Sequence, residues 1–151
     1  MFSLYLVLKF IHIAAAITAV GANITYGVWN ARSQSEPAHL GFTLKGIKFI
    51  DDRIANPAYG VLLLTGALML IVGHLSIKLW IVLALVLFVV LVGVAVALYS
   101  PLLRKLISLV DAGDTTSPEF SSLINRNRML GGVFALIVVL ILVLMVFQPT
   151  L

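Results

Sequence analysis

The chain contains no cysteine. Disulfide frameworks, thiolate metal centres and cysteine nucleophiles are therefore excluded, while the redox compartment is left open. Charge is scarce as well: Asp, Glu, Lys and Arg make up 11% of 151 residues, against about 25% in soluble domains. Its acids are Glu36, Asp51, Asp52, Asp111, Asp114 and Glu119, and all of them fall outside the long apolar runs. No carboxylate dyad and no acidic proton path across those runs can be assembled from them. H-E-x-x-H, Walker A and G-x-S-x-G patterns are also missing. The sequence thus offers no catalytic constellation of a familiar kind.

What it has instead is apolar surface. Hydrophobic residues are 62% of the chain, and mean hydropathy is +1.15. A domain of this size leaves too much surface wet to hide that excess in one core. Lipid must be the solvent for most side chains, and crossing a hydrocarbon layer of roughly 30 Å takes about 20 apolar residues. Four segments qualify, at about 4–28, 54–73, 79–100 and 129–147. The expected fold is an all-α membrane protein: one domain over 1–151 whose four transmembrane helices form an antiparallel bundle.

Loops 29–53 and 101–128 join these spans. In the first, LGFTLKGIKFIDDRI puts Leu40, Leu44, Ile47, Ile50 and Ile54 on one helical face, with Lys45, Lys48, Asp51 and Asp52 largely elsewhere. Two readings fit: an amphipathic helix in the interface, or an extension of the next span. Asn56-Pro57 reads as a helix start, with Asn capping and Pro in the first turn. Pro101 reads as a kink, and Thr116 with Glu119 as a capping box.

Basic residues set the expected orientation. Arg32, Lys45, Lys48 and Arg53 lie in loop one, and Arg104, Lys105, Arg126 and Arg128 in loop three; only Lys9 and Lys78 lie opposite. The positive-inside rule then puts both termini outside and loops one and three in the cytoplasm. The net charge of +4 describes topology rather than nucleic-acid binding. The first apolar run lacks signal-peptide grammar and is expected to be retained.

Lys9 and His12 sit within the first span, one turn apart. Lys9 can snorkel along its own stem to the headgroups. His12 is too short to do so, and lies about 21 Å along the axis from Tyr26 at the other end of the span. His12, Ala16, Ala19 and Asn23, continued by Asn30, follow one another at helical spacing. A small, polar stripe of this kind belongs in the bundle interior, against a neighbouring helix. A neutral imidazole there can ligate a metal or haem b, relay a proton or bond a quinone. Equally, it can make one interhelical hydrogen bond, to a backbone carbonyl or to a hydroxyl such as that of Thr65. His74, at the mouth of the second span, is the other candidate cofactor ligand, with a depth mismatch of roughly 9 Å from His12. Arg53 can bind lipid phosphate or pair with Asp51 and Asp52. Arg104, Lys105, Arg126 and Arg128 suit either membrane anchoring or docking of anionic lipid or a partner.

L-K-x-x-H-I-x-A-A from Leu8, R-I-A-N-P from Arg53, Thr65-Gly66 and the order of four spans resemble the bacterial integral membrane group called domain of unknown function 2269. That resemblance implies a membrane fold and no assigned activity. The lysine-x-x-histidine first helix is also similar, more distantly, to CopD-like copper-resistance domains and HemJ-type protoporphyrinogen oxidases. The latter likeness implies haem at His12. The third and fourth spans lack histidine, so a second axial ligand from them is missing. The leading functional expectation is a non-enzymatic membrane protein, an accessory subunit that contacts lipid, other membrane subunits or a second copy of itself. The alternatives are a haem- or quinone-binding redox protein using His12 and, third, a small transporter or channel.

Overall fold

The computed structural model describes residues 3–74 and 76–149. The chain is 90% helical, with no strand among the described residues. Helix α1 spans Leu4–Ser35 and is capped by Ser3, whose hydroxyl accepts the Leu6 amide at 3.3 Å. It runs well past Val28, because nothing stops it before Glu36-Pro37. The residue preceding a proline is driven out of helical geometry, and Glu36 is the residue that leaves it, with φ −132° and ψ 67°.

A 3-10 turn over Pro37–His39 leads into α2, Leu40–Ile50. Helix α2 does not stop at Ile50. It passes through a π-helical turn, Asp51–Ala55, directly into α3, Asn56–Val72. Of the two readings of loop one, the extension of the next span is the one realised. Asn56 therefore caps nothing; it sits inside a continuous helix and makes no capping bond. Pro57 lacks the amide that the Arg53 carbonyl needs, and its ring crowds that carbonyl. A turn widened to π geometry absorbs the conflict.

The third span repeats the device. Helix α4, Leu79–Val94, meets a π-helical turn over Ala95–Tyr99 and continues as α5, Ser100–Asp111, with Pro101 in its first turn. Gly113 closes α5 at φ +78°, a left-handed geometry that glycine adopts freely. The last helix, α6, spans Pro118–Phe147. Its cap is Ser117 rather than Thr116: the Ser117 hydroxyl accepts the Phe120 amide at 3.1 Å, and Pro118 occupies the first turn. Glu119 is committed instead to an ion pair with Lys105 of α5.

Among the described residues, four helical runs, Leu4–Ser35, Pro37–Val72, Leu79–Asp111 and Pro118–Phe147, are long and apolar enough to cross a membrane. Helix α1 packs on α3 and α4 on α6, and α1 also touches α6. At one end α2 fills the space between α1 and α5, and α5 leans on α6. The core concentrates at this elbow end, where Leu44, Ile47, Leu103 and Leu106 are 0% exposed. Ala15, Ala19 and Ala22 let α1 approach its neighbours closely. The end holding both chain termini is packed far more sparsely. Along α4 only Ala84 and Leu91 are buried, while Val86 and Val89 are 53% and 59% exposed. Such faces are stable in hydrocarbon, where every backbone polar group is already satisfied within its helix.

Candidate functional site

His12, Asn23, Tyr59 and Thr65 meet on one seam, where α1 and α3 run antiparallel, while Lys9 and Thr18 of α1 are exposed. Nearest the termini, the ring of Tyr5 covers Gly73, where an added Cβ would lie 2.9 Å from it. Deeper in, the imidazole of His12 lies over Gly66, whose added Cβ would be 3.3 Å from His12 Cε1. Its Nδ1 stands 2.8 Å from Thr65 Oγ1. Thr65 spends its own proton on the Val61 carbonyl, at 2.6 Å. The hydroxyl is thus left to accept, so Nδ1 carries the hydrogen and Nε2 keeps a free lone pair.

Further along, Asn23 donates to the Ala19 carbonyl at 2.8 Å and to the Tyr59 hydroxyl at 2.7 Å. Past it, Tyr26 donates to Asp51 Oδ1 over a long 3.4 Å. Asp51 is only 5% exposed. Around it Tyr26 stacks on Tyr99 with centroids 6.5 Å apart, and Tyr99 meets the edge of Phe134 at 5.4 Å. These side chains enclose a cavity of about 10 Å³ lined also by Asn23, Tyr59, Leu91 and Ala95, room for about one water. Both π-helical turns reach it, the first through Asp51 and the second through Ala95 and Tyr99. The chamber can hold a carboxylate, phenol donors and a water in contact. It offers no nucleophile–base pair and no space for an organic substrate.

The stripe read from the sequence maps onto this seam: Ala19 is buried, and His12, Ala16 and Asn23 are partly buried. Asn30 continues it, accepting from Asn127 Nδ2 of α6 at 3.1 Å. His74 is not brought to His12. It is exposed, with φ +46°, just beyond Gly73. His12 contacts Gly66, seven residues back along the helix, which is roughly 10 Å of axial rise. Arg53 is exposed and has no carboxylate partner among the described residues; Asp52 pairs with Lys48. Arg104, Arg126 and Arg128 are exposed without ion pairs among the described residues, while Lys105 is held by Glu119.

Tyr26, Asp51, Tyr59 and Tyr99 meet in the chamber without having been singled out together. A signal existed: Leu44, Ile47, Asp51, Ala55 and Ala58 recur at helical spacing and are all buried. Asp51 thus belongs to the inward face, and Ile54, at 41% exposure, does not. The pattern emerges only when the helix is carried through Pro57.

No characterised protein and no solved structure is detectably similar to this chain. The more distant likeness to CopD-like and HemJ-type proteins rests on Lys9 and His12 alone. The nearer one is matched by a family description over nearly the whole chain: the protein belongs to the family of predicted integral membrane proteins DUF2269, whose model covers residues 6–149.

Proposed function

We propose that this protein is a non-catalytic accessory component of a membrane assembly, joined laterally to another transmembrane subunit. The observation that carries this reading is the uneven packing. One end of the molecule has a closed core, whereas the other leaves long aliphatic faces of α4 and α6 uncovered: Val86, Val89, Leu136 and Val139 are each more than half exposed. Helix association in bilayers is driven by close van der Waals packing, and these faces supply it to a partner helix. The eight basic residues of loops one and three orient the elbow end toward the cytoplasm by the positive-inside rule. To test the reading, a photo-crosslinking residue is placed at Val89 in cells of the source organism. Capture of one defined membrane protein supports it; adducts with lipid alone, or with a second copy of this chain, contradict it.

A second reading draws on the His12–Thr65 bond. A histidine whose Nδ1–H is held by an acceptor presents Nε2 to a metal, the arrangement that orients ligating histidines. His12 is suited in this way to be a single axial ligand of haem b. A visible spectrum decides: a Soret band lost in His12→Ala favours this reading over the first, and a colourless preparation removes it.

A further inference from the structure

A second cavity lies outside the polar seam, where α1 leaves its apolar stretch and the chain turns back into α2. It is a cleft of about 350 Å³ lined by Trp29, Arg32, Ser33, Glu36, His39, Phe42 and Thr43, in the size range of small-ligand sites. It opens just beyond Tyr26, at the boundary of the first span. Arg32 and Glu36 stand in it as a pair 3.1 Å apart, with side chains 66% and 50% exposed. One hydrogen bond joins them, so most guanidinium donors remain available.

Thr43 is the telling residue. Helical threonines usually return their hydroxyl to the carbonyl four residues earlier. Thr18, Thr25 and Thr65 do so here, at 2.9, 2.8 and 2.6 Å. Thr43, although only 5% exposed, has no hydrogen-bond partner among the described residues and lines the cleft instead. Its hydroxyl is reached from the cleft rather than sealed in the core, so both its proton and its lone pairs are available to a ligand or water. His39 makes no side-chain capping bond; the Leu40 amide is already taken by the Pro37 carbonyl, so the start of α2 adds only a minor preference for an anion beside Thr43.

We propose that this elbow binds the headgroup of a zwitterionic phospholipid bearing a primary ammonium, of the phosphoethanolamine type. The phosphate takes Arg32, the Thr43 hydroxyl and the start of α2. The ammonium takes Glu36, against the face of Trp29. Trp29 and Phe42, 39% and 75% exposed, meet the glycerol and upper acyl chains, as interfacial aromatics do. The paired opposite charges select this headgroup. A purely anionic lipid faces the Glu36 carboxylate unrelieved, and a choline has no N–H to give it.

Native mass spectrometry of the full chain tests this. Detergent-solubilised protein is titrated with phosphatidylethanolamine, phosphatidylcholine and phosphatidylglycerol of identical acyl chains. The ethanolamine lipid is retained preferentially, by about tenfold, the worth of one charge-assisted hydrogen bond. Arg32→Gln and Thr43→Val each weaken its retention, Glu36→Gln abolishes the preference for ethanolamine over choline, and Arg128→Gln changes nothing. Equal retention of the three lipids by the native chain, or unchanged retention in both Arg32→Gln and Thr43→Val, overturns the proposal. Soluble phosphoethanolamine and inorganic phosphate are added as competitors. Failure of both to displace the lipid supports the bilayer source; displacement at concentrations equal to the lipid's places the ligand in water and overturns it.

Discussion

The Nδ1 atom of His12 stands 2.8 Å from the hydroxyl of Thr65, and that hydroxyl donates onward to the Val61 carbonyl. The neutral imidazole of the first span is thereby satisfied across the α1–α3 seam. Thr65→Val keeps the shape and deletes the acceptor. It is expected to cost about 0.6 kcal/mol, the average for interhelical bonds in bilayers, and no more than about 1.7 kcal/mol, with Thr65→Ser restoring most of it. Reversible unfolding in mixed detergent micelles measures the difference.

Two glycines of α3 should respond in opposite senses. At Gly60 an added Cβ meets nothing within 4 Å, so Gly60→Ala is expected to stabilise by about 0.5–1 kcal/mol through helix propensity alone. At Gly66 the same methyl arrives 3.3 Å from His12 Cε1, so the imidazole must give by a few tenths of an ångström, which strains its bond to Thr65 and offsets that gain. Equal stabilisation by both substitutions in the same unfolding assay contradicts the seam geometry.

The chamber at Asp51 makes a different demand. Asp51→Asn retains the volume and an acceptor for the Tyr26 hydroxyl, and its effect should stay within about 1 kcal/mol. Asp51→Ala leaves that buried phenol without its acceptor, at a cost of about 1–3 kcal/mol. Unfolding midpoints that rank the alanine variant above the asparagine variant would place the carboxylate outside the tyrosine cluster.

Pro57→Ala supplies an amide to the Arg53 carbonyl and removes the ring that crowds it, so the Asp51–Ala55 turn is expected to tighten toward regular helix. Amide exchange over residues 53–57, read by mass spectrometry, slows accordingly, and the chamber loses its fit as Asp51 rotates. Unchanged exchange means that proline is not the cause of the widened turn.

The elbow end should be held by packing, with little help from its ion pairs. Lys45 and Asp111 meet at 2.7 Å, but both are more than half exposed, and Lys45→Ala should cost under about 1 kcal/mol. Leu103 is 0% exposed, and Leu103→Ala should cost about 2–5 kcal/mol. Comparable losses from the two would overturn this ranking.

The four spans were readable from run length alone, because hydrocarbon thickness sets a minimum that few other constraints imitate. The inward stripe of His12, Ala16, Ala19 and Asn23 followed from helical spacing, and Thr65 was one of several partners that spacing allowed. The chamber was not readable, and Pro57 and Pro101 are the reason. Proline in water marks a helix boundary, whereas in a membrane helix a local π adjustment re-satisfies the freed carbonyl. Taking Pro57 as a boundary cut the Leu44–Ala58 face in two and left Asp51 on the polar side. Thr116 lost its capping role to Ser117 for a simpler reason: one residue separates them, and Pro118 suits the first turn only if Ser117 is the cap.

Lateral partnership is the claim on which the functional account stands. Extraction from native membranes in a mild detergent, followed by native mass spectrometry of the purified chain, weighs whatever accompanies it. The account predicts a species in which this 16.3 kDa chain is bound at fixed stoichiometry to a different membrane protein, and that species dissociates when Val86 and Val89 are replaced by lysine. A mass equal to one chain plus lipid, unaltered by those replacements, contradicts it.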